Sequence, residues 1–89
     1  MNKIKRKELS KIEDRLLSVK DVINDIKSDL EYVLTDEEDC LDRMDSFSGT
    51  DRYAVIEEAV SNMSDAASSL DEAIDNIDSA VESIVNAQN

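Results

Sequence analysis

Apolar positions recur along the first half of the chain with a period close to 3.5 residues. From Ile12 they advance by four and three without a slip, through Leu16, Val19, Ile23, Ile26, Leu30 and Val33. The series then passes Glu37 to reach Cys40 and Met44, and Leu9 extends it backwards by one step of three. That spacing is the signature of a helix lying along a partner helix. Leu17, Val22, Leu34 and Leu41 widen the stripe beyond a two-stranded seam. Glu37 interrupts it, and Thr35-Asp36-Glu37-Glu38 matches a capping box, so a break there is the alternative. A continuous helix is the preferred reading, because the register resumes in phase after Glu37.

The second half repeats itself every seven residues from Val55 to Glu82, with a degraded copy from Ser83 to Asn89. Three columns recur. The first is large and apolar (Ile56, Met63, Leu70, Ile77, Ile84), the second is Ala (Ala59, Ala66, Ala73, Ala80, Ala87), and the third follows the Ala and is mostly apolar. A small-residue column predicts close approach of another helix along it. Between the halves lies Asp45-Ser46-Phe47-Ser48-Gly49-Thr50-Asp51, holding the only Gly of the chain. That Gly suits a left-handed residue just past a helix end, and Ser48 or Thr50 suits the N-cap of the next helix. So short a connection folds the helices back antiparallel. The expected fold is all-α: one domain over residues 1–89, with helix 1 at about 5–46, a turn at 46–50 and helix 2 at about 51–87. Each arm of roughly 35–40 residues would run about 50–60 Å.

An isolated pair of helices buries little. Both stripes are about three residues wide per heptad, which predicts a homodimer packed as a four-helix bundle; the alternative is that the stripe is kept for a different protein.

Composition narrows the function. Hydrophobic residues make up 40% of the 89 and charged residues 36%, with no Pro, Trp or His and one Cys. A sandwich, barrel or α/β fold lacks the turn residues it would need. The net charge is −12 and unevenly spread. Residues 1–20 hold seven cations and three acids, net +4, whereas the remainder holds three cations and nineteen acids, net −16. Such acidity argues against direct binding of nucleic acid or anionic membrane. Cations opening a helix oppose its macrodipole, so the basic head is expected to face acidic residues of another chain or element, or to fray. No apolar run is long enough to span a bilayer, no apolar stretch follows the basic start as in a signal peptide, and one Cys forms no internal disulfide. A cytoplasmic location is expected, host-cell cytoplasm if the chain is phage-encoded.

Chemistry is sparse. Without His the usual base near neutral pH is missing, and two rods offer no evident pocket. No catalytic, cofactor or metal residue is expected, and the chain reads as non-enzymatic. Cys40 reads as packing, as do Tyr32 and Tyr53 at the stripe edge. The dense acidic run Asp36–Asp45 lacks the spacing of an EF-hand and reads as a solvated face. The sharper feature is the rows of carboxylates. Asp21, Asp25 and Asp29 form one row, and Asp71, Asp75, Asp78 and Glu82 another. Carboxylates four residues apart on a helix lie about 6 Å from one another, comparable with phosphates along a strand. These seven are the candidate residues for binding a partner protein with a basic surface. The plain alternative is that acidity only maintains solubility.

The stretches Cys40-Leu41-Asp42-Arg43-Met44, Thr50-Asp51-Arg52-Tyr53, Glu57-Glu58-Ala59-Val60 and Asp71-Glu72-Ala73-Ile74-Asp75-Asn76-Ile77 resemble a group of small acidic phage and prophage proteins over about residues 9–84. Members of that group commonly carry Pro in the turn, where this chain has Ser46-Phe47-Ser48-Gly49. The group has no settled activity. The resemblance implies a helical hairpin, and by analogy an inhibitor of a host defence or DNA-metabolising protein. Two functions are therefore expected: an acidic, nucleic-acid-mimicking protein-binding module, or a structural protein that assembles with itself.

Overall fold

The computed structural model describes residues 1–44 and 49–89. They form a helical hairpin of α1 (Lys3–Arg43) and α2 (Asp51–Gln88), 66 Å long and 15 by 14 Å across. α1 starts two residues before the expected boundary because Asn2 caps it, its side-chain oxygen accepting from the Lys5 amide at 2.8 Å. It runs unbroken through Thr35, so the capping-box sequence there is not used. A lone Thr-x-x-Glu offers too little to interrupt a helix whose apolar face continues past it.

α1 ends at Arg43 with Met44 as its cap, short of the expected residue 46. The expected Ser48 cap and most of the 46–50 turn lie outside the described residues. Gly49 has φ +95, but it stands too far past Arg43 to close α1 as its first residue. It leads instead into Thr50, whose hydroxyl oxygen accepts from the Tyr53 amide at 3.2 Å and caps α2. Asp51 sits in that first turn, where its charge suits the dipole. A Cβ on Gly49 would meet nothing within 4 Å, so its φ alone selects glycine there. Gly49→Ala is expected to cost about 1 kcal/mol, read as a lower urea midpoint at unchanged slope.

The two helices meet along one seam, and no described residue is fully buried. Half-buried residues mark it: Leu9, Glu13, Leu16, Lys20, Ile23, Lys27, Leu30, Leu34, Glu37, Leu41 and Met44 on α1. On α2 they are Tyr53, Ile56, Val60, Met63, Ala67, Leu70, Ile74, Ile77, Val81, Ile84 and Gln88. Both series step by four and three, as seam positions a and d of a heptad must. Glu13, Lys20, Lys27, Leu34 and Leu41 then occupy a on α1, with Leu16 and Ile23 at d. Val60, Ala67, Ile74 and Val81 occupy a on α2, with Met63 and Leu70 at d.

This register corrects two readings of the sequence. Ile12, Val19, Ile26 and Val33 are not in the seam; they are 41%, 48%, 50% and 50% exposed. They fall one position before the seam column that holds Glu13, Lys20, Lys27 and Leu34, at heptad position g. Nor does the Ala column line the seam. Ala66, Ala80 and Ala87 are exposed and only Ala59 and Ala73 are half-buried; the third column makes the contact. Tyr53 packs in the seam, whereas Tyr32 is 79% exposed and lies outside it.

Candidate functional site

Two lysines at seam position a reach across the hairpin. The Lys20 ammonium lies 2.6 Å from Asp78. The Lys27 ammonium pairs with Asp71 and also with Glu31, one turn on, at 3.3 Å. Nearer the open end, the Gln88 amide donates to the Glu13 carboxylate at 3.3 Å. The lysine stems cover apolar seam while their heads stay at its edge. The hydrogen bond from Lys27 to Asp71 holds its ammonium above the ordinary 10.5, with partial burial opposing and Glu31 adding. The sign is that of a raised base: the contact is fully present at neutral pH and is lost as pH climbs through the raised value.

The pairings fix the alignment. As the lysine number rises by seven, its partner's falls by seven, as in any antiparallel pair. Position e of α1 therefore runs beside e of α2, which carries Asp71 and Asp78. Position g runs beside g.

The seven candidate carboxylates divide on this frame. Asp71 and Asp78 stand at e, and Asp75 and Glu82 stand at b just outside them. Asp21 stands at b of α1, on the same side of the hairpin and level with Asp78. These five share one flank. Asp25 faces directly away from α2 at f, and Asp29 reaches c, on the opposite side. A step of four residues drifts round the helix by about 40°, so the first row winds across the back of α1 instead of running straight. Asp71 and Asp78 are half-exposed and engaged by lysine, whereas no ion pair involves Asp21, Asp75 or Glu82 among the described residues.

The opposite flank is of another kind. It carries Ile12, Val19, Ile26, Val33 and Cys40 from α1, in line with Ala87, Ala80, Ala73, Ala66 and Ala59 from α2. Cys40 is free and half-buried there, its Sγ 3.9 Å from the Met44 sulfur, so it sits at the edge of the packing. Among the described residues, no group of three or more His, Cys, Asp or Glu is placed to hold a metal ion. No described helix is long and apolar enough to cross a membrane.

The chain is thus a two-helix antiparallel hairpin of coiled-coil type, with one acidic and one apolar flank. No family model matches it, and no curated protein or solved structure does either.

Proposed function

We propose that this chain is a non-enzymatic protein-binding module whose acidic flank engages a basic surface of a partner, competing there with nucleic acid. The observation that carries this reading is the gathering of Asp21, Asp71, Asp75, Asp78 and Glu82 on one side of a helical rod 66 Å long. Along α2, nine acids stand against one arginine. Carboxylates on a helix hold fixed spacing without an ordering cost at binding, which favours a groove built for phosphates. Asp75 and Glu82 are the residues to change, because they leave both interhelical lysine pairs intact. In a pull-down from lysate with stepped salt, capture of a DNA- or RNA-binding protein is expected. It should release at moderate salt, be displaced by duplex DNA, and disappear with Asp75→Asn/Glu82→Gln. Capture that ignores both DNA and the double substitution would sink this reading.

A second reading is favoured by the apolar flank: the chain assembles with copies of itself. A water-exposed column of Ile and Val at a fixed heptad position is the usual mark of a face that meets another helix.

A further inference from the structure

We infer that the g flank is the interface with a second copy of this chain, packed so that α1 of one copy lies antiparallel along α1 of the other. The inference rests on the self-assembly reading and adds the face and the orientation. The flank is built for contact along its whole length. On α2, every residue at positions g and c from Val55 to Ala87 is Ala, Ser, Asn or Val, in a chain that is 36% charged. All nine acids of α2 lie elsewhere on its circumference. The accessible surface of 6500 Å² exceeds the roughly 5200 Å² of a compact protein of this mass. The excess of about 1300 Å² is on the scale of a stable protein–protein interface.

What selects a second copy, and its direction, is charge. Reversed about Ile26, the apolar column of α1 matches itself: Ile26 meets Ile26, Val19 meets Val33, and Ile12 meets Cys40. The column just outside it, at position c, then brings Glu8 opposite Arg43 and Arg15 opposite Asp36, with Asp29 opposite Val22 between them, each pair twice by symmetry. Among the described residues, Arg15, Asp36 and Arg43 have no ion-pair partner within the hairpin. The hairpin is also polar end to end. Its open end carries the cations of residues 3–15 beside an α2 tail, residues 84–88, without charged side chains. Its turn end sets Asp36, Glu37, Glu38, Asp39 and Asp42 beside Glu57 and Glu58. An antiparallel pair places each basic end on an acidic one. A parallel pair would lay α1 against the uncharged columns of α2 and leave Arg15, Asp36 and Arg43 unanswered, Glu8 alone being paired already with Lys11 at 3.5 Å. At the turn end, a hollow of about 450 Å³ between Cys40, Arg43, Met44, Thr50 and Arg52 lies where the second copy's Ile12 would enter.

Native Cys40 makes the orientation testable. Ile12→Cys places a second thiol about 42 Å from Cys40 along the same helix, too far for an internal disulfide. With the full chain and diamide as oxidant, the expected product is a covalent dimer in which position 12 of one copy is linked to Cys40 of the other. Peptide mass mapping locates that link, and adding Cys40→Ser abolishes it. Sedimentation equilibrium should give twice the chain mass for the unmodified protein. Ile26→Asp should weaken that dimer about 100-fold while keeping the helical circular dichroism, since residue 26 faces water in the hairpin. A monomeric unmodified chain at tens of micromolar would overturn both this interface and the self-assembly reading. A dimer that does not link residue 12 to residue 40 would overturn the interface alone.

Discussion

Ile74→Asp is expected to abolish most of the helical circular dichroism at room temperature, whereas Ser79→Asp is expected to leave it nearly intact. Ile74 is half-buried at seam position a near the middle of α2. Losing its apolar contact removes about 1–2 kcal/mol, part of the 1.5–3 kcal/mol of a fully buried Ile. The new carboxylate would stand three residues from Asp71, four from Asp78 and next to Asp75, repelled along one helix face. It would also sit against an apolar seam without a partner, for a further cost of about 1–3 kcal/mol. A chain this small, with none of its described residues fully buried, has only about 3–5 kcal/mol to lose. Ser79 lies outside the seam, so its substitution adds comparable like-charge repulsion without the lost burial. Equal loss in both variants would mean that charge, not the seam, governs stability.

Raising NaCl from 0.01 to 1 M is expected to raise the melting temperature by about 5 °C or more. The screening length shrinks from about 30 Å to about 3 Å across that range. With a net charge of −12 on one short rod, repulsion outweighs the attraction in two interhelical lysine pairs. Relief is greatest at the turn end, where acids of α1 lie alongside acids of α2. About 1 kcal/mol of relief moves the midpoint by about 4–8 °C in a domain of this length. A midpoint that falls with salt would show that Lys20–Asp78 and Lys27–Asp71 dominate the balance. That outcome would be unusual for exposed pairs, which are worth up to about 1 kcal/mol each.

Half of the seam was legible in the order of residues and half was not, for a definite reason. Leu9, Leu16, Ile23, Leu30, Glu37 and Met44 belong to both of two possible registers, one turning toward Ile12, Val19, Ile26 and Val33, the other toward Glu13, Lys20, Lys27 and Leu34. Hydrophobicity alone chooses the first. The fold takes the second, because Lys20 and Lys27 are the cations level with Asp78 and Asp71, and their stems supply apolar cover while their heads find carboxylates. The matching seven-residue spacing of the two lysines and of those two aspartates was the signal that could have revealed it. On α2 the same rotation moves the contact from the Ala column to Val60, Ala67, Ile74 and Val81. The hairpin itself was plain from the heptads and the single short break. The grouping of the carboxylates was not, because which side of α1 a residue such as Asp29 faces depends on the register and not on its spacing from Asp25.

The two flanks answer different demands. Pairing through the apolar side would leave the five gathered carboxylates of each copy facing outward, on opposite sides of the assembly, so a single particle could present two acidic surfaces at once.

The long, thin outline has a hydrodynamic consequence. A radius of gyration of 19.9 Å is that of a compact globule of about 330 residues, nearly four times this chain's length. On a gel-filtration column calibrated with globular standards, one hairpin would elute far ahead of its mass. Two hairpins packed side by side would be hardly longer than one and would elute only slightly earlier. Elution volume therefore carries little information about copy number here, and light scattering or sedimentation, which report mass directly, are the measurements on which assembly is to be judged.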